Sequence, residues 1–123
     1  MANILIIDDE DIIREMLRDI LEPEGHTIIE AENGHQGLEK YDPTTIELVI
    51  TDIMMPEKDG IETIRDLKKC NPEVLIVAIT GYRGRFNRLP AAEFLGAQET
   101  LIKPFTKADL LTVIDKLLKN NEA

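Results

Sequence analysis

Five polar side chains stand directly after short apolar runs, and their types suit one chemistry. Ile4-Leu5-Ile6-Ile7 ends in Asp8-Asp9, the run from Ile46 to Thr51 ends in Asp52, Val74 to Ile79 ends in Thr80, and Thr100-Leu101-Ile102 ends in Lys103-Pro104. Adjacent carboxylates suit a hard divalent cation. Magnesium prefers a near-octahedral oxygen shell with one or two protein carboxylates, waters and phosphate oxygens. Asp8, Asp9 and Asp52 can supply that shell. One of them could instead be a nucleophile, since aspartate can carry a phosphoryl group. Phosphoryl transfer needs mainly positioning and charge neutralisation. The Lys103 ammonium would offset charge on the transferring group, and the Thr80 hydroxyl would donate a hydrogen bond to it.

These groups act together only if the runs before them are parallel strands of one sheet, because ligands bind outside the carboxyl ends of such strands. The intervening sequence supports that arrangement. Asp11 to Glu22 carries Ile12, Ile13, Met16, Leu17, Ile20 and Leu21 at helical spacing, and Pro23 with Gly25 stops it. Thr27 to Glu30 reads as a second strand. Asn33 and Gln36 form a capping-box pattern before a helix bearing Leu38 and Tyr41. After the Ile46–Thr51 strand and a turn-rich loop through Gly60, Ile61, Ile64 and Leu67 mark a third helix, closed by Asn71-Pro72. Thr106 and Asp109 cap a final helix carrying Leu110, Leu111, Val113, Ile114, Leu117 and Leu118. Between Thr80 and Glu99 the expectation is an irregular stretch, then a short helix with Pro90 in its first turn. Five strand–helix units in 123 residues predict an α/β fold, a doubly wound parallel sheet forming one domain over 1–123.

Composition narrows the function classes. A net charge of −10 argues against direct binding of nucleic acid, which demands a basic footprint. No apolar stretch reaches the length of a membrane span. The single cysteine, Cys70, cannot form an intramolecular disulfide and suits a reducing compartment. A cytoplasmic protein is expected.

The order Asp-Asp, then Asp-x-x-Met-Pro-x-x-Asp-Gly, then a strand ending in Thr, then Lys-Pro-Phe, resembles the receiver domain of two-component response regulators. The resemblance runs from Ile4 to about Leu118. It implies a flavodoxin-like sheet of order 2-1-3-4-5 with helices on both faces. It implies that Asp52 is the phosphorylated residue, and that Asp8 and Asp9 hold magnesium together with Asp52 and the backbone carbonyl of Met54. Thr80 and Lys103 would contact the phosphoryl group, which would come from a sensor histidine kinase or a histidine phosphotransfer protein. A downstream protein would read the outcome. Such a domain catalyses its own phosphorylation and dephosphorylation and is not a conventional turnover enzyme. No output domain is expected in this chain.

Three departures from the pattern stand out. Thr100 occupies the place of the aromatic that usually turns inward on phosphorylation. Lys58 replaces a commonly apolar loop residue. Arg83, Arg85 and Arg88 with Pro90 make a basic connection after Thr80, so the switch is expected to run through residues 81–90 of the broader 81–105 face. Bulky Met54 and Tyr82 predict slow hydrolysis of the phosphoaspartate. The alternative is a receiver-like interaction module whose binding ignores phosphorylation, which Thr100 favours and the intact acids disfavour. Taken singly, Asp8, Asp9 and Glu10 could merely complement a helix N-terminus, worth up to about 1 kcal/mol. His26 and His35 are expected at the surface, and Cys70 is expected to be inert.

Overall fold

The computed structural model of the chain describes residues 2–53, 60–80 and 96–120. Strands β1 (Asn3–Ile7), β2 (Thr27–Ala31), β3 (Leu48–Asp52), β4 (Leu75–Thr80) and β5 (Glu99–Ile102) form one sheet in the order β2-β1-β3-β4-β5. Every pairing is parallel. Helices α1 (Asp11–Leu21), α2 (Gly34–Lys40), α3 (Gly60–Cys70) and α4 (Lys107–Asn120) complete the described elements, with a short 3₁₀ turn at Glu22–Glu24. The helix expected around Pro90 lies outside the described residues.

Strand alternation divides the apolar residues into two cores. Successive side chains of a strand point to opposite faces, and in β1 Leu5 and Ile7 pack with Ile64 and Leu67 of α3, whereas Ile4 and Ile6 pack with Leu17 of α1 and Ile114 of α4. All four β1 residues are fully buried. Helices therefore cover both faces, and the central strand β3 is buried along its whole length, as a doubly covered parallel strand must be. Each such aliphatic side chain contributes roughly 1.5–3 kcal/mol of burial.

The helix boundaries follow their expected signals. Asn33 caps α2 by accepting from the Gln36 N–H at 2.9 Å, while Gln36 reaches back to the Glu32 N–H at 3.0 Å. At α4 the Thr106 hydroxyl accepts from the Asp109 N–H and the Asp109 carboxylate accepts from the Thr106 N–H, a reciprocal capping box. After α1, Pro23 enters the 3₁₀ turn and Gly25 takes the left-handed conformation that frees the chain for β2.

Four expectations need correction. Strand β3 begins at Leu48, because the Ile46 N–H is already bonded to the Asp42 carbonyl of the preceding turn. Tyr41 is not helical: it closes α2 in an extended conformation, and its buried phenol accepts from the Asn71 side chain at the end of α3. Ile12, placed in the apolar stripe of α1, is 77% exposed. His26 is not on the surface. It is buried beside β2, and its Nδ1 accepts from the Ala2 N–H at 3.1 Å. Burial holds its imidazole below the ordinary histidine pKa. His35 is exposed as expected, and Cys70 is a free, exposed cysteine.

Ile50 lies mid-β3, two residues before Asp52, with no exposed surface. Replacing it with Val should cost about 0.5–1.5 kcal/mol, read as a lower urea midpoint with an unchanged slope.

Candidate functional site at the carboxyl edge of the sheet

Register alone brings the distant residues together. Ile7 pairs with Thr51, so the next residues outward, Asp8 and Asp52, leave adjacent strands side by side. Asp52 itself pairs with Ile79, which places Thr80 one step beyond it. Thr80 pairs with Ile102, and the Lys103 N–H continues that ladder by donating to the Thr80 carbonyl at 2.7 Å. The peptide bond between Lys103 and Pro104 is cis.

The lysine is the hub of the site. Lys103 Nζ lies 3.2 Å from Asp52 Oδ2, 3.3 Å from Asp8 Oδ2 and 3.5 Å from Glu10 Oε1. Asp8 has no exposed surface, and Asp52 and Thr80 are buried beside it. Asp9 and Glu10 are exposed at the rim. Carboxylate oxygens of Asp8, Asp9, Glu10 and Asp52 come within 4.8 Å of one another. That is an all-oxygen, hard donor set, the kind that magnesium or calcium takes rather than softer metals.

The cluster strains its own charges. Burial raises the Asp8 carboxyl to about 6; the Asp52 charge adds to this, against the Glu10 N–H that donates to Asp8 Oδ1 at 2.9 Å. For Lys103, burial works against the charged form, but the Asp52 and Asp8 carboxylates outweigh it and keep the ammonium above its ordinary range.

A profile of the response regulator receiver domain matches residues 4–115. The chain belongs to the response regulator receiver family. It is 37% identical over 116 residues to the chemotaxis protein CheY of Bacillus subtilis, covering 94% of this chain and 96% of that one. It is 33% identical over 121 residues to the transcriptional regulatory protein CpxR of Escherichia coli, where it spans 98% of this chain but 51% of CpxR. Among solved structures, a response regulator receiver domain protein from Clostridium thermocellum superposes with a TM-score of 0.92 at 32% identity, covering 99% and 98% of the two chains. The response regulator TrrA from Thermotoga maritima, solved in complex with Mg(2+)-BeF, gives 0.84 at 35% identity, covering 95% and 99%. The five-stranded order and the helices on both faces are those of this receiver fold. No helix among the described residues is long and apolar enough to cross a membrane.

Within this receiver, Asp8, Asp9, Asp52, Thr80 and Lys103 all reach the one edge that their strand-end positions required. Met54, Tyr82 and the arginines at 83, 85 and 88 lie outside the described residues. Thr100 stands in β5 opposite Ala78 and is half-buried. Two contributors were not singled out in the sequence. Glu10 reads from the sequence only as a helix-end acid, yet it faces Lys103. Gly60 opens α3 so close to β3 that a Cβ there would lie 2.2 Å from the Asp52 carbonyl oxygen and 2.5 Å from Ile53 Cα. The Asp-Gly pair at residues 59 and 60 was the only available signal for it.

Gly60→Ala should therefore push on the Asp52 backbone, costing about 1–3 kcal/mol as overpacking does, and shift the Asp52 and Ile53 amide resonances. A second outcome follows from Asp8. Its folded pKa is raised from 3.8 to about 6, so the metal-free folded state binds more protons than the unfolded chain between those values. Stability then falls as pH rises through that window. Asp8→Asn should be more stable than wild type at pH 7 in a chelating buffer, by an amount on the order of 1–3 kcal/mol. The difference should shrink towards zero as pH drops below 4. Buried His26, whose pKa is lowered, contributes with the opposite sign, so the difference between the two proteins, measured by urea unfolding, isolates Asp8.

Proposed function

We propose that this receiver accepts a phosphoryl group on Asp52 in a magnesium-dependent reaction and thereby carries a two-component signal. The observation that carries this reading is the triangle of Lys103 Nζ with Asp8 Oδ2 and Asp52 Oδ2, set in the cluster of oxygen donors. Asp8, Asp9 and Asp52 would hold the cation, with the Met54 carbonyl as a further ligand. Bound there, magnesium would supply positive charge to offset that of the phosphoryl oxygens. An Asp52 carboxylate oxygen attacks phosphorus, the new O–P bond forms as the bond to the donor's leaving group breaks, and that group departs with its electron pair. Lys103 shifts from its carboxylate partners towards the added negative charge. Thr80, one residue beyond the pairing partner of Asp52, donates its hydroxyl hydrogen to a phosphoryl oxygen.

A phosphohistidine of a kinase or phosphotransfer protein suits the donor side. Beside the site runs an apolar groove of about 380 Å³, lined by Ile13, Met16, Lys103, Pro104 and Phe105. It shares Lys103 with the acid cluster, so a protein seated there would lie within reach of Asp52. The strongly acidic chain favours a partner with a basic rim. Exposed apolar surface of this kind marks interaction sites. The second reading, an interaction module indifferent to phosphorylation, is favoured by Thr100, which leaves β5 without an aromatic to report the state of Asp52.

Incubation with magnesium and a small phosphodonor, followed by intact-mass measurement, tests the proposal. The wild type should gain one phosphate adduct and Asp52→Asn none. A wild type without an adduct would leave the interaction-module reading standing. An adduct on the variant would place the acceptor elsewhere.

A further inference from the structure

Arg14 is buried, although arginine is almost never so unless paired. It belongs to α1, and its guanidinium meets three different partners. Nη1 donates to the backbone carbonyl of Asp8 at 2.5 Å, Nε donates to the Glu30 carboxylate in β2 at 3.2 Å, and Nη2 pairs with the Asp11 carboxylate. None of the roles assigned above uses this residue.

Its contact with Asp8 has a specific geometric effect. The Asp8 N–H is bonded to the Ala31 carbonyl at 3.1 Å, so β2 holds one side of the residue. Arg14 holds the other side at the carbonyl, which is half of the peptide leading into Asp9. Just beyond, the Glu10 N–H folds back onto Asp8 Oδ1. Asp9 lies between two restrained peptides, exposed, and no hydrogen bond among the described residues aims its own carboxylate. Yet that carboxylate joins the cluster. Its direction is inherited from the backbone.

We infer that Arg14 is a positioning residue, clamping the Asp8–Asp9 peptide so that the Asp9 carboxylate faces the cation position. This rests on the magnesium-dependent reading above. Two simpler roles make different demands. As a nearby positive charge alone, Arg14 would repel a divalent cation, and its removal would tighten binding. As a tie between α1 and β2 alone, it would duplicate Arg18, which donates to Glu30 from Nε at 2.9 Å and from Nη2 at 2.6 Å without touching Asp8.

Calorimetric titration with magnesium alone separates these roles, using wild type, R14A, R14K and R18A, each with its urea midpoint. Partners that orient metal ligands typically cost 10–100-fold in affinity when removed, so R14A should bind about 10-fold more weakly. R18A should stay within about twofold of wild type even where its midpoint falls. R14K keeps one donor for the Asp8 carbonyl and should recover part of the loss. Phosphate uptake by R14A should return to the wild-type rate at saturating magnesium, since the defect lies in binding. Equal or tighter binding by R14A overturns the inference, as does an equal loss in R18A. Should R14A fail to fold, R14M carries the test: binding weaker than that of both wild type and R14K supports the clamp, and binding equal to wild type removes it. A wild type that binds no magnesium removes the functional proposal as well, an outcome distinct from normal wild-type binding with R14A unchanged.

Discussion

Carboxylates crowded into a low-dielectric edge repel one another, and the rest of this structure accommodates that fact. Asp8 and Asp52 are both buried at the ends of neighbouring strands, where water cannot screen them. One ammonium, from a residue 51 positions after Asp52, lies between them. Its placement needs the whole sheet, since β4 and β5 must both be in register before Lys103 reaches the site. The compensation is incomplete, as the raised Asp8 pKa shows. An arrangement so poised keeps unbalanced negative charge at the edge of the sheet, at a cost in stability. Removing a buried partner from such a group is far more disruptive than the net worth of the pair.

Much of this edge was legible because parallel strands translate sequence position into spatial position with few degrees of freedom. Once each apolar run is a strand, the polar residue that ends it has one place to go. Helix limits were equally readable at Asn33 and Thr106, where capping is a local affair of three residues. The resemblance to receivers added the sheet order, which no local pattern contains.

What escaped the sequence was set by tertiary context. His26 follows a glycine in a polar stretch, and nothing nearby says that the amide of Ala2, just before β1, will seek its ring. Ile12 sits in an apolar stripe wider than the surface available to cover it. Arg14 stands among the charges of an amphipathic helix, and the acid in β2 that it pairs with is 16 residues away. Ile46 shows the smaller kind of miss: it is apolar and buried, but the turn at Asp42 takes its amide before the sheet can.

The division of the interior into two cores has its own consequence. Stacked layers lie about 10 Å apart across a sheet, and substitutions separated by more than roughly 7–10 Å without shared partners tend to be independent. Among the described residues, the apolar side chains on the side of α2 and α3 and those on the side of α1 and α4 fall into separate clusters. Each face can accumulate changes without repacking the other, while both remain attached to the same five strand ends. Receivers built this way can diverge in what they present on either side and keep a single chemistry at the rim.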